Sequence, residues 1–152
     1  ISERRSAKLT DKNHSFGLPA FLSTEPGLHS GLMIAQYTAA ALVSENKVLI
    51  HPASGDSIPT SANQEDHVSM GTIAARQAAD IIRNVQNILA IELLCASQAL
   101  EYREQLPGRG TRKAHAAIRA VVQRLNGDRN LSKDIEQVAL LIKSESLAAV
   151  LH

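Results

Sequence analysis

Between Pro59 and Gly71 the chain reads P-T-S-A-N-Q-E-D-H-V-S-M-G, and groups able to do chemistry gather most closely here. Three kinds of site can be weighed from residue types and spacing. For a metal, His51, Glu65, Asp66, His67 and His115 are possible ligands, but none makes a spacing such as H-E-x-x-H. Glu65 and His67 are two apart, so a helix would turn them to different faces. No metal site is expected. For a nucleophile, serines lie near His51 and His67, yet no G-x-S-x-G turn occurs. Cys95 lies mid-helix among apolar neighbours, where a thiol is inert packing. Gly27, Gly31 and Gly55 are isolated, so no glycine-rich phosphate cradle precedes a helix. What is left is a carboxylate at a loop-to-helix junction. Glu65 reads either as a first-turn charge facing the positive end of a helix dipole, or as a group poised to bind an N–H-bearing or cationic substrate, or to act as acid or base.

The elements that must position this stretch are helices. Ser30 to about Ile50 reads as one, with Ser30 as cap and apolar residues on more than one side, as in a bundle. His51 to Asn63 is a loop with two prolines, three serines and Gly55. The next helix is predicted to begin within residues 63–66 and run to about Gln105, interrupted by no proline. At the standard rise, about 40 residues span about 60 Å, which suits a long-helix bundle or an oligomer built on a helical spine. Glu92, inside the apolar run Ile91–Ala96, calls for an arginine on a neighbouring element. Ser2–Leu9 reads as helical, Leu18–Leu22 as extended around Pro19, and Pro26-Gly27 as a turn. Pro107–Gly110 ends the long helix. Thr111 should cap a helix over Arg112–Leu125, and Ser132 one that ends near Lys143, with a further turn in the tail. The whole reads as all-α, a single helical segment over residues 1–152.

Composition narrows the classes further. The 152 residues are 44% hydrophobic and 20% charged, ordinary for a folded domain. A net charge of +1 gives no field for nucleic acid or an anionic membrane, and 3% aromatics give no base-stacking platform. One cysteine excludes an internal disulfide framework and suits a reducing compartment. No apolar h-region or membrane-length apolar run is present, so the cytoplasm is the expected location. The chain begins with Ile1, as a processed product or a piece of a longer chain would.

Longer motifs carry a resemblance. Gly27–Lys47, G-L-H-S-G-L-M-I-A-Q-Y-T-A-A-A-L-V-S-E-N-K, is followed by H-P-A-S-G-D-S-I-P-T-S-A-N-Q-E-D-H-V-S-M-G at His51–Gly71. With Leu89–Arg103, the opening I-S-E-R-R and the L-P-A-F-L at Leu18–Leu22, these closely resemble the histidine ammonia-lyases, a branch of the aromatic amino acid lyase family. The similarity covers most of the chain and weakens after Arg103. It implies a bundle of long helices and a homotetramer whose active sites combine several subunits. The implied reaction is non-oxidative loss of ammonia from L-histidine to give urocanate. The implied cofactor is a methylidene-imidazolone electrophile, made autocatalytically from an internal Ala-Ser-Gly.

The chain resembles the C-terminal third of such an enzyme, which places the electrophile-bearing segment upstream of Ile1 and leaves the chain inactive alone. Ala53-Ser54-Gly55-Asp56 spells the cofactor motif, but its flanks match a different family segment, so cyclisation there is not expected. Glu65 is the one family site residue that maps onto this chain. In lyases acting on histidine, the Glu of Q-E-D-H lies near the substrate imidazole, where a carboxylate accepts an N–H and stabilises positive charge. Relatives acting on phenylalanine or tyrosine, and the aminomutases, tend to read N-Q-D here. Gln64-Glu65-Asp66-His67 therefore points to histidine. The alternatives are a lyase or aminomutase for another aromatic amino acid, or a non-catalytic helical piece that assembles with a partner. His29 departs from the family, which usually has Asn there.

Overall fold

The computed structural model describes residues 1–151, and among them the regular elements are helical. They are α1 (Ser2–Thr10), α2 (Met33–Leu49), α3 (Gly71–Leu100), α4 (Arg109–Val121), α5 (Ser132–Lys143) and α6 (Ser146–Leu151). Short 3₁₀ turns occupy Ala20–Leu22 and Ser61–Asn63.

α3 is the axis. Its 30 residues give about 45 Å of helix, and its buried positions run from Asn84 to Ala99. One face, with Ile91, Cys95 and Ala99, packs against Leu18, Leu22, Leu32, Ala35, Ala39 and Leu125. Ala35 and Ala39 are the fully buried positions of α2 and let the two backbones approach closely. An adjacent face, with Ala90 and Leu94, packs against Ile118 of α4, Val122 and Val138 of α5. The first three turns of α3 bury nothing, and Ile73 and Ile82 stand exposed there. Cys95 is fully buried; burial, only partly offset by a hydrogen bond with Ser6, pushes its thiol up to about 12.

Polar pairs fasten these faces. Arg5 of α1 reaches Glu92 at 2.7 Å, the arginine partner that the apolar setting of Glu92 required. Burial opposes ionisation of Glu92, but hydrogen bonds from Arg5 and Ser2 outweigh it and hold the carboxyl below its ordinary range. Asn84 donates to Glu45 (2.9 Å) and Asn46 (3.0 Å), joining α3 to the end of α2. Gln98, buried between two loops, donates to the Leu125 carbonyl at 3.0 Å and the Leu22 carbonyl at 3.4 Å. Its own oxygen accepts from the Leu125 amide at 3.1 Å.

Several boundaries differ from the sequence expectation. Leu18–Leu22 is not extended throughout. Pro19 is, but Phe21 and Leu22 take left-handed angles (φ 56° and 55°) in a turn that buries Leu22 completely. The Leu22 carbonyl is held there by the Tyr102 hydroxyl at 3.0 Å as well as by Gln98. Gly31 crosses this turn so closely that a Cβ would lie 2.6 Å from the Phe21 carbonyl oxygen, and its φ is +56°, so only glycine fits. Ser30 does not cap α2. The Asp128 carboxylate accepts from the Ser30 and Gly31 amides, both at 2.9 Å, and the helix starts after Leu32. Thr111 lies inside α4, whose N-cap is Gly108, and α4 stops at Val121 because Val122 is extended and buried. Ser132 is the first residue of α5, and its amide is met by Asn130. α3 begins at Gly71 and ends at Leu100, several residues inside both predicted limits.

Candidate active site

Glu65 is not in the first turn of a helix. α3 starts six positions later, so the reading of Glu65 as a charge opposite a helix dipole is overturned. The reason lies in the preceding residues. Thr60 and Glu65 form an isolated antiparallel pair, with the Thr60 amide donating to the Glu65 carbonyl (2.9 Å) and the Glu65 amide to the Thr60 carbonyl (3.3 Å). Four residues close this loop, and three of them are left-handed: Ser61 (φ 53°), Ala62 (φ 53°) and Asn63 (φ 66°). Asparagine tolerates that region, but serine and alanine do so at a cost of about 1–2 kcal/mol each. Such angles cannot nucleate a right-handed helix. The return strand is held as well, since the Val68 amide donates to the Ser57 hydroxyl at 3.0 Å.

The Glu65 side chain is fixed by the same loop. The Thr60 hydroxyl donates to Glu65 Oε2 at 2.9 Å. Oε1 has no hydrogen-bond partner among the described residues, and the residue is exposed. A carboxylate with one oxygen tied and one free is a directional acceptor for a single N–H donor. Thr60 was not singled out from the sequence. The signal was available only as its place five residues before Glu65, which means nothing until the turn is known.

The remaining candidates do not gather around Glu65. His51 follows α2, and its carbonyl is met by Gln77 at 3.3 Å. Asp66 and His67 are exposed neighbours in the chain. His115, on α4, lies 3.3 Å from Glu101 at the other end of α3. Among the described residues no three His, Cys, Asp or Glu side chains sit together as metal ligands would, and no helix is long and apolar enough to cross a membrane. The Gly55 amide donates to the Pro52 carbonyl at 3.2 Å in an exposed turn. Cyclisation of Ala53-Ser54-Gly55 would require that nitrogen to attack the Ala53 carbonyl carbon, so the turn does not suit the reaction. His29 is the last residue of a turn begun at Glu25 and packs over Gly127, beside the Asp128 carboxylate.

A long central helix framed by shorter helices, with a carboxylate on the loop before it, defines a segment of a helical bundle, and comparison with known proteins gives the family. Residues 1–120 match the aromatic amino acid lyase model. The chain belongs to the aromatic amino acid lyase family. It is 61% identical over 154 residues to the histidine ammonia-lyase of Symbiobacterium thermophilum, covering all of this chain and 30% of that protein. In structure it superimposes on the histidine ammonia-lyase of Trypanosoma cruzi with a TM-score of 0.94 at 47% identity, over 99% of this chain and 30% of that one. The tyrosine aminomutase of Streptomyces globisporus matches with a TM-score of 0.93 at 38% identity, over 99% of this chain and 29% of that one. The chain thus spans about 30% of the length of the relatives it matches.

Proposed function

We propose that this chain is the C-terminal part of a histidine ammonia-lyase, an enzyme that eliminates ammonia from L-histidine without oxidation and releases urocanate. Identity to histidine ammonia-lyases over the full chain supports the assignment, and the aminomutase is more distant in sequence. The intact enzyme is a homotetramer of the cytoplasm, and the chain by itself is inactive.

The observation that carries the substrate assignment is the geometry of Glu65. Its carboxylate is presented from a clamped turn with Oε1 free. In the intact site Oε1 accepts the N–H of the substrate imidazole and stabilises positive charge on that ring. The methylidene-imidazolone electrophile of the family activates the amino group for departure, and it comes from a segment outside this chain. No residue here is assigned to hold it. What this chain contributes is recognition of the ring. A phenyl or phenol substrate has no ring N–H for this carboxylate to accept, and a buried unpaired carboxylate is costly.

The test is a substrate panel on the intact enzyme, with L-histidine, L-phenylalanine and L-tyrosine as substrates, followed by Glu65→Gln. Urocanate should form from histidine alone. Because a hydrogen bond to a charged group contributes about 1.5–3 kcal/mol, Glu65→Gln should lower kcat/KM for histidine by about 10- to 100-fold. Cinnamate, coumarate or a β-amino acid as the main product would replace this reading with a lyase or aminomutase of another aromatic amino acid.

A further inference from the structure

We infer that Thr60 is a positioning residue for Glu65, setting which carboxylate oxygen is offered to the substrate ring. The inference rests on the role proposed for Glu65 above.

Three observations converge on the pair. The Thr60 hydroxyl donates to Glu65 Oε2 at 2.9 Å. A threonine hydroxyl has one proton and an ionised carboxylate has none, so the direction of this bond is fixed. The two residues also exchange both backbone hydrogen bonds, at 2.9 and 3.3 Å, so their side chains rise from opposed positions of one short ladder. Finally, the loop between them holds Ser61, Ala62 and Asn63 in left-handed conformations, two of which ordinary side chains rarely adopt. Strained backbone persists where the surroundings over-determine it, and it collects at sites that need a group held in place. Here the strained loop keeps Thr60 and Glu65 face to face.

The consequence is physical. A glutamate on an exposed loop has three free torsions, and freezing them on binding would weaken recognition. Thr60 freezes them beforehand. With one lone pair of Oε2 engaged, Oε1 is the more open oxygen for the ring N–H, so Thr60 favours one direction as well as adding order. The Thr60 hydroxyl touches neither substrate nor electrophile in this account; it acts through Glu65.

The experiment uses the intact enzyme and the variants Thr60→Val, Thr60→Ser, Glu65→Ala and Thr60→Val with Glu65→Ala, each checked for an unchanged thermal midpoint. Valine keeps the shape and branching of threonine but donates nothing. Thr60→Val should lower kcat/KM for L-histidine by about five- to twentyfold, as expected when a binding group loses its placement, with most of the change in KM. Thr60→Ser should restore most of the loss, which a packing role of the methyl group would not allow. In the Glu65→Ala background, Thr60→Val should add almost nothing. If Thr60→Val is harmless while Glu65→Ala is damaging, the inference is overturned and the role of Glu65 stands. If the two losses multiply, Thr60 acts through another group, which also overturns it. If Glu65→Ala is harmless, the reading of Glu65 fails and takes this inference with it.

Discussion

Single side chains do disproportionate work in this chain because each settles a partner far away in sequence. Gln98 is the clearest case. Its amide group bonds two carbonyls and one amide in loops on either side of α3, and Arg119 approaches its oxygen at 3.4 Å. Replacing it by leucine would leave the Leu125 amide and carbonyl buried without partners. Gln98→Leu should therefore cost about 2–4 kcal/mol in a urea-unfolding experiment; a loss below about 0.5 kcal/mol would show that water takes over both groups. Glu101, one turn further on, makes the contrast. Its Oε1 accepts from Arg119 at 2.6 Å. Its Oε2 is buried without a donor among the described residues, although Arg124 Nε stands 3.3 Å away as an ionic contact. At this scale the sequence was readable in part. Glu92 announced its need for an arginine because a carboxylate in an apolar run has few other solutions, and Arg5 supplies it. Gln98 announced nothing, since glutamine is unremarkable on a helix until the loops that it ties are known.

Helix starts are where the structure departs most often from the local sequence pattern. Contacts made by residues outside the expected first turn decide where α2 and α3 begin. Ser30 was the natural cap of α2, yet the two amides at that end are met by Asp128, 98 positions from Ser30. α3 was expected near Asn63, yet the Thr60–Glu65 pair and the Ser57–Val68 bond hold the chain out of helix until Gly71. Local propensity sees neither. The interior of α3 was legible because its apolar residues recur at helical spacing, and those of α2 and α5 because good helix formers fill them, neither of which needs a distant partner. The Asp128 clasp makes a pH-dependent prediction. The amides of Ser30 and Gly31 hold the Asp128 carboxyl below its ordinary value. A carboxylate with a lowered folded-state pKa contributes stability that is present above the unfolded value and is lost as pH falls through the folded one. The stability gap between wild type and Asp128→Ala should therefore be constant above about pH 5 and shrink below about pH 4. Urea titrations at several pH values measure it. A gap that widened in acid would contradict the clasp.

At the scale of the whole molecule, the outer surface of α2 is the feature that the fold leaves open. Ile34, Tyr37 and Val48 recur at helical spacing and are exposed, Tyr37 by 73%, and Ala41 lies between them on the same stripe. Ile82 and Val85 of α3 are exposed together as well. The chain covers about 30% of its relatives' length, and apolar stripes of this kind drive association when left uncovered. The isolated chain should therefore sediment as a self-associating species, its mean mass rising with concentration. A strictly monomeric chain at millimolar concentration would contradict that. The all-α class and the family were legible before any coordinates, the first from period and the second from long motifs around Glu65.

The role proposed for Glu65 in recognising the substrate ring is measured most directly by the ratio of kcat/KM values for L-histidine and L-phenylalanine in the intact enzyme and its Glu65→Gln variant. The wild type should release urocanate and leave phenylalanine essentially untouched, and the substitution should collapse the ratio by about 10- to 100-fold through loss of the histidine reaction. A ratio unchanged by the substitution, or a wild type that turns over phenylalanine in preference to histidine, would contradict it.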